Sequence, residues 1–90
     1  MQFEWDANKA LANLRKHDVS FEEASSAFRD DFSATVHDPD HSKSEDRFVT
    51  FGVSLHGRLL AISHTERGNF IRIISARVAT NTERRIYEEG

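Results

Sequence analysis

Between Arg47 and Arg77 the chain runs through three extended segments with only two short breaks: RFVTFGVS, a turn at His56–Gly57, RLLAISHT, a turn over 66–69, and FIRIISAR. Val49, Phe51 and Val53 alternate with Phe48 and Thr50. Leu60, Ile62 and His64 alternate with Leu59, Ala61, Ser63 and Thr65. A period of two interrupted by glycine-bearing turns specifies an antiparallel meander. A shorter strand is expected before it, around 32–36. Such a sheet has to bury one face, so the rest of the chain must supply the cover.

The cover is legible in helix start signals. After a brief extended segment, QFEW, Asp6 is placed to N-cap a helix whose Ala7, Ala10, Leu11 and Leu14 fall at helical spacing. That helix should fade near Lys16 and His17. Ser20 with Glu23 three residues on forms a capping-box pattern ahead of Phe21, Ala24 and Phe28, and Thr80 with Glu83 repeats it ahead of a C-terminal helix. The fold class expected is α+β: one domain over 1–90, an antiparallel sheet with two N-terminal helices and a C-terminal helix packed on one face. The other face is left partly open.

Composition narrows the function classes. The chain is 38% hydrophobic and 30% charged, the balance of an ordinary globular protein, and it has no cysteine for a disulfide, thiolate metal site or thiol nucleophile. No apolar stretch is long enough to span a bilayer and MQFEWD does not read as a signal peptide, so a cytoplasmic protein with no membrane role is expected. In HDPDHSKSED, His37 and His41 are four apart, but Pro39 opposes the helix that would aim both at one ion. A connecting loop is expected there, with no metal and no cofactor.

The net charge of −3 hides an asymmetry: residues 1–46 hold five Lys/Arg against eleven Asp/Glu, and residues 47–90 hold seven against four, all seven arginines. Arginine's planar fork suits bidentate contact with phosphate or carboxylate. In an unbroken strand Ile71, Ile73, Ser75 and Arg77 share one face and Phe70, Arg72, Ile74 and Ala76 the other. Arg72 then projects from the open face, and Arg77 turns to solvent where the strand ends. His64, with Glu66, stands near the end of the neighbouring strand. An open face holding Arg and His is what acid–base chemistry on a phosphodiester requires. Lys16 and His17 form a second candidate pair at the end of the first helix. The plain alternatives are solvated ion pairs for the arginines, a hydrogen-bonded structural role for His64, and helix-end charge compensation for Lys16 and His17.

Three stretches, FEWDANKALANLRKHDVSFEEA, DPDHSKSEDRFVTFGVSLHGRLL and IRIISARVATNTERRIYEE, resemble in order and spacing the BrnT toxins of type II toxin–antitoxin systems. The resemblance spans nearly the whole chain. It departs from the family's usual Lys-His-Gly-Val where Asp18 replaces the glycine. The resemblance implies a fold similar to the RelE ribonucleases and a metal-independent endoribonuclease that cuts RNA and inhibits translation. It also implies neutralisation by a BrnA-type antitoxin protein, through which the complex would reach promoter DNA indirectly. By matching motifs it implies Lys16, His17, Arg72 and Arg77 as catalytic candidates, joined by His64 from the strand pattern. Glu83 and Arg84 of the last helix, with Arg67, are the RNA-binding candidates. A different class stays open: a non-catalytic interaction module acting only in a transcription-regulating complex.

Overall fold

The computed structural model describes residues 1–90. Its elements run β1 (Gln2–Glu4), α1 (Ala7–His17), α2 (Phe21–Ala27), β2 (Ala34–His37), a short 3-10 turn at Pro39–His41, β3 (Arg47–Val53), β4 (Leu59–Arg67), β5 (Phe70–Val78) and α3 (Asn81–Glu89). The strands form one sheet in the order β1-β5-β4-β3-β2. Strands β2 to β5 are antiparallel to their neighbours, but β1 lies parallel to β5. The sheet is therefore mixed, not wholly antiparallel as the local pattern suggested. Period-two alternation reports a strand's faces and cannot report a partner 68 residues away.

The helix starts are chemically explicit. Asp6 accepts from the backbone N–H of Asn8 and Lys9 at 2.8 and 3.0 Å. Ser20 Oγ accepts from Glu23 N–H, but the Glu23 carboxylate turns away from the cap to accept from Arg58 Nε at 2.9 Å and Ser54 Oγ at 2.7 Å. At α3 both halves of the capping box form. Helix α1 ends at Asp18 in the left-handed region (φ 57°, ψ 35°), where a side chain is strained and glycine is not.

Val19, Phe21, Ala24 and Ala27 pack against Leu60, Ile62, Ile73 and Ala76, with Phe3, Trp5, Ala10 and Phe28 around the edge of this core. Helix α2 approaches the sheet backbone to backbone: a Cβ on Gly52 would lie 2.5 Å from the Ala27 carbonyl oxygen.

Two further differences from the sequence expectation matter for function. First, α3 does not share the face of α1 and α2. Gly52 faces α2, whereas its neighbour Phe51 pairs with Ala34, whose Cβ lies 4.0 Å from where a Gly90 side chain would begin. The C-terminal helix thus covers part of the opposite face, near β3, where Phe51, Leu59 and Ala61 are buried. Tyr87 Oη anchors it by donating to Asp30 Oδ2 at 2.6 Å, an oxygen that also accepts from Val53 N–H.

Second, β5 does not alternate without a break. Ser63 pairs with Ser75 and His64 with Ile73, leaving Ile74 unopposed as a β-bulge. An inserted residue exchanges the faces of everything beyond it. Ile73, Ala76 and Val78 therefore align with the buried His64, Ile62 and Leu60 of β4, and Ile71 shares their face opposite the exposed Glu66. Arg72, Ser75 and Arg77 align with Thr65, Ser63 and Ala61 on the other face.

Where β1 stops, α1 takes over as the cover of β5's outer edge. Asn13, buried on α1, accepts from Ala76 N–H at 3.0 Å and donates through Nδ2 to the Ala76 carbonyl at 2.8 Å and the Val19 carbonyl at 2.9 Å. One side-chain amide reproduces a strand's pair of ladder bonds.

Candidate functional site

The face opposite α1 and α2 carries three rows across the strands. One row reads Glu4, Arg72, Thr65, Arg47; the next Ser75, Ser63, Val49; the third Arg77, Ala61, Phe51. Arg72 and Arg77, which unbroken alternation would put on opposite faces, stand on the same face because of the bulge, with Ser75 between them. Arg72 donates to Glu4 Oε2 at 2.6 Å. Arg77 makes a bidentate pair with Glu83, 2.6 and 2.8 Å, using the same carboxylate that closes the α3 cap. That pairing pulls the Glu83 carboxyl down to about 2 and raises the Arg77 guanidinium above its ordinary value. Arg77 remains 43% exposed, so its fork stays reachable from solvent.

Lys16 and His17 come to the rim of this face. With Ile74 and Ser75 they line a shallow recess of about 210 Å³ between α1 and β5. The Asn13 clasp beside them fixes the helix against the strand. Lys16 and His17 of α1 thus meet Ser75 of β5, and Ser75 stands between Arg72 and Arg77 along the strand, with Glu83 on Arg77. Arg67 lies one row further out, on the exposed end of β4, 3.2 Å from Glu45. Arg84 is exposed on α3.

His64 belongs elsewhere. It is 2% exposed on the helix-covered face, between the rings of Phe28 (centroids 5.0 Å apart) and Phe48 (6.0 Å), with Nε2 2.7 Å from Thr50 Oγ1. Burial pushes its pKa down to about 4, so the ring is neutral at pH 7. The expectation that His64 stands on the open face is overturned: a neutral imidazole enclosed by aromatic rings cannot reach a phosphate on the far side of the sheet.

Sequence reasoning also passed over Arg47, Ser63, Ser75 and Thr65 as members of this face. The one available signal was the Ile73–Ile74 doublet, which breaks the alternation where the bulge occurs. The histidines of the 37–46 loop are each engaged by a single carboxylate, His37 by Asp46 at 3.2 Å and His41 by Asp38 at 2.9 Å.

A mixed five-stranded sheet with helices on both faces, and with arginines aligned across one of them, defines a small α+β protein. The chain belongs to the BrnT ribonuclease toxins of type II toxin–antitoxin systems, whose family model matches residues 5–83. The fold is similar to that in the crystal structure of the Brucella abortus ribonuclease toxin BrnT. The TM-score is 0.65 and the identity 23%, over 90% of this chain and 99% of that one. No curated protein matches the chain in sequence.

Proposed function

We propose that this chain is the toxin itself, an endoribonuclease that cuts RNA without a metal ion and so inhibits translation in the cytoplasm, and that a BrnA-type antitoxin neutralises it. Promoter DNA would be reached only through the antitoxin, and the fold kinship would extend to the RelE ribonucleases. One observation carries the reading: the bulge at Ile74 sets Arg72, Ser75 and Arg77 on one face, with Lys16 and His17 at its rim.

The chemistry follows from those groups. His17 takes the proton from a ribose 2′-hydroxyl, whose oxygen attacks the adjacent phosphorus. The bond from phosphorus to the 5′-oxygen breaks, and Lys16 gives that oxygen a proton. The products are a 2′,3′-cyclic phosphate and a 5′-hydroxyl. Arg72 and Arg77 offset the charge that builds on the phosphorane oxygens, a contribution of several kcal/mol when donors are fixed in advance. Glu83 holds the Arg77 fork with both oxygens and Glu4 meets Arg72 with one, positions that phosphate oxygens would take over. Arg67 and Arg84 extend the basic surface for flanking phosphates.

The same two ion pairs favour a second reading, in which the arginines are braces and the chain is a non-catalytic interaction module. The two separate on purified protein incubated with RNA in EDTA. The ribonuclease reading expects cyclic or 3′-phosphate ends, and it expects Arg77→Ala and His17→Ala to lose cleavage by orders of magnitude while remaining folded. Intact RNA at full protein solubility, or cleavage restored only by adding Mg²⁺, would overturn it.

A further inference from the structure

We infer that Arg47, absent from the sequence-derived candidates, is a phosphate-binding residue of this face, gripping one RNA phosphodiester together with the Thr65 hydroxyl and Arg72. The inference rests on the ribonuclease reading and adds to it a specific anion site.

Arg47 pairs with Thr65 across β3 and β4, and Thr65 pairs with Arg72 across β4 and β5, so the three stand in one row on one face. Neighbouring strands lie about 4.8 Å apart, which leaves the two arginines roughly 10 Å apart at the backbone. Side chains of that length can meet over the threonine between them, Arg72 exchanging its Glu4 partner for the phosphate to do so.

Charge distinguishes Arg47 from the other strand arginines. Arg67, Arg72 and Arg77 each have a carboxylate within ion-pair distance: Glu45, Glu4 and Glu83. Arg47 has none, although it is partly buried. An uncompensated, partly desolvated guanidinium is costly, and a phosphodiester monoanion offsets that cost.

Thr65 supplies the second, independent observation. It is fully buried and its Oγ1 has no hydrogen-bond partner. A buried hydroxyl without a partner is rare, and this one lies in the row between two arginines; a nonbridging phosphate oxygen accepts from it if those side chains part to take the phosphate. The backbone of Arg47 is pinned on both sides, its N–H donating to Ser42 Oγ at 2.9 Å and its carbonyl accepting from Asp38 N–H at 2.8 Å. Beside it lies a polar recess of about 490 Å³ shared with Asp40, His41, Lys43, Ser44 and Glu45. With no apolar side chain in its lining, that recess suits a sugar–phosphate stretch better than a stacked base.

The test uses a short RNA oligonucleotide with 2′-O-methyl riboses, which binds without being cleaved, followed by fluorescence anisotropy over a range of salt. The unmodified oligonucleotide reports cleavage in parallel. Arg47→Ala should weaken binding about tenfold or more and make the log–log salt slope shallower by about 0.7, the loss of one phosphate contact to a single strand. Arg47→Lys should recover part of the affinity. Thr65→Val should weaken binding several-fold while its melting temperature stays level or rises, because it removes an unpaired buried hydroxyl. A merely structural threonine would show the reverse: a lower melting temperature and unchanged binding. Arg29→Ala, an exposed site outside this face, should match the parent chain. If the parent binds and cleaves while Arg47→Ala is indistinguishable from it, the inference is wrong and the ribonuclease reading stands. If the parent neither binds nor cleaves, both fall together.

Discussion

The two faces of the sheet are built from alternate residues of the same strands, yet they treat polar groups in opposite ways. Under α1 and α2, Leu60, Ile62, Ile73 and Ala76 are fully enclosed, and the one histidine among them is held neutral beside Thr50. On the opposite face Arg72 and Arg77 keep their charges. Each is matched by a single carboxylate from β1 or α3, elements attached at the sheet's margin. On the helix-covered side the one buried charge, Glu23 of α2, is closed off by Arg58 and Ser54, whereas across the sheet the charges are only loosely neutralised. The boundary between the two regimes crosses sides at one residue, the bulged Ile74.

The largest effect should come from breaking the enclosed side. Ile73→Ala removes a fully buried side chain and should cost roughly 2–5 kcal/mol in a denaturant melt. Across the strand, Arg72→Ala should cost no more than about 1 kcal/mol, since its pair with Glu4 is partly solvated. Equal losses for the two variants would erase the distinction between the faces.

Acid should act on the enclosed side through His64. Its folded pKa of about 4 lies below the ordinary 6.5, so the unfolded chain binds the proton more readily between those values. Stability is therefore complete above pH 6.5 and declines as pH falls toward 4, by roughly 3 kcal/mol at most. Glu83 contributes in the same direction but lower, between its ordinary 4.5 and about 2. His64→Leu should flatten the stability profile between pH 6.5 and 4 and leave the steeper fall below 4.5. A profile unchanged by that substitution would mean the histidine is not the titrating group.

The smallest effect concerns neither face but the joint between α1 and α2. Asp18 holds φ at 57°, so Asp18→Gly should raise stability by about 0.5–1 kcal/mol, read as a small upward shift in Tm. A lower Tm would mean that the aspartate side chain contributes more than its strained backbone costs.

How much of this was readable beforehand depends on the range of the interaction responsible. The caps at Asp6 and Thr80 and the alternation within β3 and β4 are set by residues within a turn of one another, and the sequence displays them. The parallel pairing of β1 with β5, the side taken by α3, and the second partner of Glu23 are tertiary choices with no local mark. The site was half legible. The arginines of RIISAR stood out by type, but their common face depends on a bulge that a strict alternation erases. His64 was misplaced because a polar residue near a strand end suggests solvent, whereas Phe28 and Phe48 from two other elements close over it. Arg47 gave no signal until register aligned it with Thr65.

The parallel pairing of β1 with β5 bears on the order of events during synthesis. Gln2–Glu4 leave the ribosome nearly seventy residues ahead of their partners Phe70–Arg72. The same wait applies to Asn13, whose strand-like bonds go to Ala76. Strands β2 and β3 can meet as soon as both have emerged, but the pairing of β1 has to wait until β5 has emerged as well. Contacts of such long sequence separation form slowly. Lys16 and His17 therefore meet Ile74 and Ser75 only after β5 has been made: β1 is synthesised before its partner strand by almost the whole length of the sheet and is among the last strands to be placed.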